Sequence, residues 1–144
     1  MENKGQASAE YLLLIVVILI IMAAVTIPLV GSSVNSTMDV SRSSDTKNAV
    51  QSIANAVNLV YANGPGAKRT ISVYIPLTMV MQGNNTQLIG MSVPLSGNET
   101  KFVNSTVNYN VTFSDGTFNQ GWHTVTVNWP VGSKVPINIA HQQQ

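Results

Sequence analysis

Tyr11 to Val25 reads YLLLIVVILIIMAAV, and Thr26-Ile27-Pro28-Leu29-Val30 carries the run to 20 residues without a charge. A helix rises about 1.5 Å per residue, so the run spans about 30 Å, the thickness of a bilayer core. Fourteen of the residues from Leu12 to Val30 are Leu, Ile or Val. At about −0.3 to −0.6 kcal/mol each, insertion is favoured by roughly 4–8 kcal/mol before Pro28 is counted. A buried core helix is the other reading, but the rest of so small a chain cannot cover the segment on all sides. The flanks differ from those of a secretory signal peptide. The leader Met1-Glu2-Asn3-Lys4-Gly5 carries one Lys and one Glu, and a carboxylate, Glu10, stands directly before the run. Apolar residues continue past Met22-Ala23-Ala24, where a small-x-small cut would fall.

Outward from this segment the composition is sparing with charge. Charged residues are 9% of the 144, against about a quarter in ordinary soluble proteins. Seven Lys and Arg against six Asp and Glu leave a net charge of +1, which gives neither a basic field for nucleic acid nor an acidic tail. Asn, Ser and Thr stand where charges would be. With no cysteine there are no disulfides, thiolate metal sites or thiol catalysis. The two histidines, His123 and His141, are 18 residues apart, a poor basis for a shared metal. Asp39, Asp45, Glu99 and Asp115 form no local pair; Asp39 and Asp45 read as surface ion pairs with Arg42 and Lys47, worth little. No Gly-rich phosphate loop occurs, and Lys68-Arg69 is too short for a nucleic-acid patch. The expectation is a chain that is not an enzyme, with no catalytic residues, no cofactor and no metal.

Downstream, Gly31–Thr46 is rich in Ser, Asn and Thr, and Pro28 should kink or locally melt the helix. From Lys47 to Tyr61 the pattern sharpens: Val50, Ile53, Val57 and Val60 recur at spacings of three and four, with Ala49, Ala54 and Ala56 beside them. Gly64-Pro65 ends that helix, Gly64 suiting the left-handed position after it. The reading is one long, interrupted helix over 6–62, with 11–30 as its membrane-spanning part. A β-rich domain follows over 67–144. Its strands are Thr70–Ile75, Thr78–Met81, Gln87–Val93, Phe102-Val103, Thr106–Phe113 and Trp122–Trp129. Asp115-Gly116 reads as a hairpin turn, and Pro130, Pro136 and Gln142–Gln144 as loop and tail. Trp122 and Trp129 read as packing residues, and Met79, Met81 and Met91 as fillers of core or interface. Short links between successive strands imply a small antiparallel sheet packed on the C-terminal half of the helix, an α+β fold.

Gly5 to Tyr11 reads GQASAEY and runs directly into the apolar segment. With Gln6, Ser8, Glu10 and Tyr11 in these places, residues 4–27 resemble the class III signal peptide of archaeal type IV pilins, in particular the euryarchaeal branch with Gln-x-Ser-x-Glu-Tyr. The long helix followed by strands agrees with that family's architecture. The resemblance implies removal of leader 1–5 by a membrane prepilin peptidase cutting between Gly5 and Gln6, with Lys4 and Gly5 as processing determinants. Gly5, without a Cβ, lies readily extended in a protease cleft. It further implies a subunit anchored in the cytoplasmic membrane before assembly. A pilus assembly ATPase and membrane platform then move it into a helical homopolymer at the cell surface. Gln6, Ser8, Glu10, Tyr11 and Pro28 are the residues tied to assembly. Glu10 would pair with a neighbour's Gln6 amino terminus, because a carboxylate in an apolar core is costly alone; its other reading is an exposed residue favoured by the helix dipole.

Five N-x-Ser/Thr sequons begin at Asn35, Asn84, Asn98, Asn104 and Asn110, none with proline in the middle. Together they point to a surface bearing N-glycans, Asn84 and Asn98 foremost because they sit in turns. The function expected is a structural pilin subunit, used for surface adhesion. The alternatives are a minor pilin or an archaellin, and a single-pass anchored binding protein that never polymerises.

Overall fold

The computed structural model describes residues 2–132 and 134–144, with the side chains of residues 2–4 excepted. Met1, the first residue of the expected leader, lies outside the described residues. Two compact units divide the chain, Met1–Met38 and Asp39–Gln144.

The first unit is helical over all its described residues. Helix α1 runs from Glu2 to Asn63, beginning inside the leader rather than at Gln6. Pro28 lies within it and does not interrupt it, so the expected melting is absent. Proline removes only one N–H, the partner of the carbonyl four residues back, and residues on either side keep the helical hydrogen bonds. Just beyond, the hydroxyls of Ser33, Ser36 and Thr37 donate to the carbonyls of Leu29, Ser32 and Ser33 at 2.9–3.0 Å. Residues that compete with the backbone elsewhere here bond back onto their own helix. Every large apolar side chain from Tyr11 to Val30 is exposed, Ile27 at 72%. This helix is long and apolar enough to cross a membrane.

The second unit begins with the rest of α1. Ala49, Val50, Ile53, Ala54, Ala56, Val57 and Val60 are all buried, the stripe that the three-and-four spacing predicts. The helix ends as expected: Gly64 has φ of +87° and its N–H reaches the carbonyls of Val60 and Tyr61, both at 3.2 Å. Seven strands follow: β1 (Lys68–Ile75), β2 (Met79–Gln82), β3 (Thr86–Pro94), β4 (Thr100–Phe113), β5 (Thr117–Phe118), β6 (Gly121–Asn128) and β7 (Ile137–Gln143). They form one sheet in the order β1-β6-β7-β4-β3-β2-β5. The fold is α+β, a long apolar helix followed by a mostly antiparallel sheet.

Four expectations change. Gln142 and Gln143, read as tail, belong to β7, which lies in the middle of the sheet and buries Ile137 and Ile139. Its pairing with β4 is parallel, with β6 antiparallel, so the sheet is mixed. Phe102-Val103 and Thr106–Phe113 are one strand, β4, bent by a register shift opposite Thr86 and Leu88. Asp115-Gly116 makes no hairpin: β5 turns away from β4 to pair with β2. There the Asp115 carboxylate accepts from the Thr117 N–H at 2.8 Å, a turn closed by a side chain instead of a strand ladder.

Alternation along the strands sends one face inward. Val73, Ile75, Val107, Val111, Val125, Val127 and the three methionines Met79, Met81 and Met91 join the helix stripe in a single core. Polar groups fix the helix on it. Asp39 Oδ2 accepts from the Ser96 N–H at 3.0 Å and Asn58 Oδ1 from the Asn108 N–H at 2.9 Å. Asp39 thus anchors the helix to a strand connection, a larger part than the surface ion pair expected of it. At the foot of the helix Tyr61 stacks on Tyr109 and Trp129, ring centres 5.6 and 5.5 Å apart.

Candidate functional site

Gly5, Gln6, Ser8, Glu10 and Tyr11 all lie on α1 and are exposed. Lys4 shares its helical backbone. On a 3.6-residue period Gln6 and Glu10 fall on the same face, one turn apart. Gly5, Ser8, Ala9 and Leu12 line a shallow groove with Leu13 and Val16, a small-residue face on which another helix can come close. Pro28 lies about five turns further along, in the last turn before the Ser-rich part of the helix.

The bond between Gly5 and Gln6, where the resemblance places the cut, sits inside a helical turn; a protease reads an extended chain, so cleavage there would need the turn to open. Gly5 is the residue that weakens this turn, by about 0.5–1 kcal/mol relative to Ala. Beyond Gly5, the exposed apolar faces need an apolar surrounding, either lipid or other helices.

The five sequon asparagines are all exposed, in different settings. Asn98 occupies a turn with φ of +63°, the left-handed region that Asn tolerates better than most residues. Asn84 is also in a turn, and its side-chain oxygen accepts from the Phe113 N–H at 3.3 Å, so its amide group is partly engaged. Asn104 and Asn110 point outward from β4, and Asn35 lies on α1 in the first unit.

Two features elsewhere were not legible in the sequence. Trp129 is buried and its indole N–H donates to the Val135 carbonyl at 2.9 Å, as a packing residue should. Trp122, expected to pack likewise, is 55% exposed beside Tyr74. Strand alternation sets it on the face opposite His123, and His123 is the buried member of the two. The two histidines, distant in sequence, meet because β6 and β7 are neighbours. Their ring centres are 5.2 Å apart, and the Phe118 ring stacks on His141 at 3.8 Å. His123 Nε2 meets the Asn119 carbonyl at 2.8 Å. Burial pushes His141 below the ordinary histidine range and the neighbouring His123 adds to this, against the opposing pull of Asp115. Among the described residues no group of three or more His, Asp or Glu is placed to hold a metal ion.

No curated protein and no solved structure matches the chain. Residues 3–29 match the class III signal peptide family, over the leader, the Gln-x-Ser-x-Glu-Tyr stretch and most of the apolar run. Such a segment implies processing by prepilin peptidase and handling by pilus assembly machinery. The N-terminal segment is a class III signal peptide, and that segment, with the long helix and sheet behind it, indicates a type IV pilin-like or archaellin-like secreted protein.

Proposed function

We propose that this chain is the structural subunit of an archaeal type IV-like pilus used for surface adhesion. The observation that carries the reading is an uncovered apolar face from Tyr11 to Val30 on a helix that starts in a class III signal peptide. The peptidase cuts between Gly5 and Gln6. The subunit waits in the cytoplasmic membrane with its sheet outside, then leaves lipid for a filament of its own copies, driven by the assembly ATPase and membrane platform. Apolar side chains pass from one apolar surrounding to another, so assembly never exposes them to water. Equivalent contacts repeated head to tail give an open helical polymer. Pro28 serves as the point where the helix bends during that transfer. The sheet unit coats the filament and carries N-glycans; it has no part in catalysis or nucleic-acid binding.

Mass spectrometry of cell-surface filaments, paired with electron microscopy, tests this. The expected subunit starts at Gln6, free or cyclised, and carries added sugar mass on peptides containing Asn84 or Asn98. A chain retaining Met1 in the membrane, with no filament containing it, would favour a single-pass anchored binding protein. A place as minor pilin or archaellin follows instead from low abundance in pili or from its presence in a swimming filament.

A further inference from the structure

Trp122 and Tyr74 stand opposite one another across β6 and β1, with ring centres 5.5 Å apart and planes inclined at 54°. Both are exposed, Trp122 more than half. Burying a tryptophan is worth several times what a polar residue gains there, so an exposed Trp–Tyr pair is a surface in want of a partner. The pair borders a groove of about 230 Å³ in the second unit. Ala49 and Val73, each 3% exposed, lie at its floor. Its polar wall comes from α1, where Asp45, Asn48 and Ser52 recur at spacings of three and four, and from Ser72 on β1.

The chemistry of this lining is selective. Aromatic faces accept the C–H groups of a sugar ring, while a carboxylate, an amide and two hydroxyls match its ring of hydroxyls. Asp45 is the one charged group in the lining, so an acidic sugar meets repulsion. A quaternary ammonium would use the aromatic faces and Asp45 but leave Asn48, Ser52 and Ser72 without partners. We propose that the groove binds one ring of a neutral pyranose, stacked on Trp122 beside Tyr74 and hydrogen-bonded by Asp45, Asn48 and Ser52. This deepens the adhesive part of the proposed function and rests on it only for the origin of the sugar. The groove lies wholly within the second unit, so binding needs no polymer.

The full chain in detergent micelles, followed by tryptophan fluorescence, tests it, since Trp129 is buried and Trp122 reports. Glucose, galactose, mannose and N-acetylglucosamine are titrated, with glucuronate and tetramethylammonium alongside. The expected result is a saturable change with at least one neutral sugar and binding of glucuronate about tenfold weaker. Asp45→Ala and Tyr74→Ala should each weaken binding about tenfold, and Lys101→Ala should leave it unchanged. Trp122→Ala, read by saturation-transfer NMR, should abolish it, and Trp122→Phe should restore part. No saturable response to any neutral sugar, a response to tetramethylammonium alone, or variants binding like the parent would overturn the proposal. Sugar binding in micelles by a chain that cells never assemble into filaments would refute the pilus and leave this groove standing. Filaments with Trp122→Ala that release from polysaccharide-coated surfaces mark an external sugar as the ligand; filaments that only lose bundling mark the glycans of neighbouring subunits.

Discussion

Glu10 is a carboxylate placed immediately before a long run without charge, on a helix face shared with Gln6. In the proposed filament core it is tolerable only when paired, and the amino terminus of Gln6, if cleaved there and left uncyclised, would supply the positive partner. Glu10→Gln is therefore expected to leave processing and membrane insertion intact while filament yield, scored by electron microscopy, falls by about an order of magnitude or more. Normal filaments from this variant would return Glu10 to an exposed helix-start residue. At the other end of the chain His141 sets a dependence on pH. Its folded pKa lies below the ordinary value, so the unfolded chain binds the proton more readily. Stability from this group is complete above about pH 6.5 and is lost as the pH falls through the lowered value. Urea midpoints for the full chain in micelles should hold steady from about pH 8 to 7 and decline toward pH 5, and His141→Gln should flatten that decline.

At the scale of elements, the helix stripe was readable because its period is strong and local. Val50, Ile53, Val57 and Val60 needed nothing beyond their spacing, and each is buried to 1% exposure or less. Ile53→Ala is expected to cost about 2–5 kcal/mol in chemical unfolding, whereas the same truncation at exposed Val40 should change little. Strand β7 was not readable, because Gln142 and Gln143 gave it the look of a tail and only Ile137 and Ile139 alternate. Strand order was hidden for a different reason. Pairing of β7 with both β6 and β4 is a long-range choice made by burying both isoleucines, and no turn residue announces it. The same limit applies to sites. The class III signal peptide lies in one stretch, residues 3–29, and could be recognised by reading, but the Trp122 groove is assembled from α1, β1 and β6. Likewise the histidine contact exists only through sheet register.

For the whole molecule, scarcity of charge separates two kinds of surface. From Tyr11 to Met38 there is no charged side chain at all, so contacts made there owe little to Coulomb attraction. Filaments should keep their length when sodium chloride is raised from about 0.1 to 1 M, where the screening length falls from about 10 to 3 Å. Detergent, which offers the helices another apolar home, should dissolve them. Light scattering in both conditions checks the pair, and dissolution by salt would show that charged groups of the sheet unit hold the polymer together. The remainder of the chain wears Asn, Ser and Thr outward, which suits a coat bearing sugars.

The place of β7 governs how the sheet holds together. Without Ile137–Gln143, β1 with β6 and β4 with β3, β2 and β5 have no strand to join them. Strand β7 is thus the keystone of the second unit, carrying the ladder that joins the two halves of its sheet.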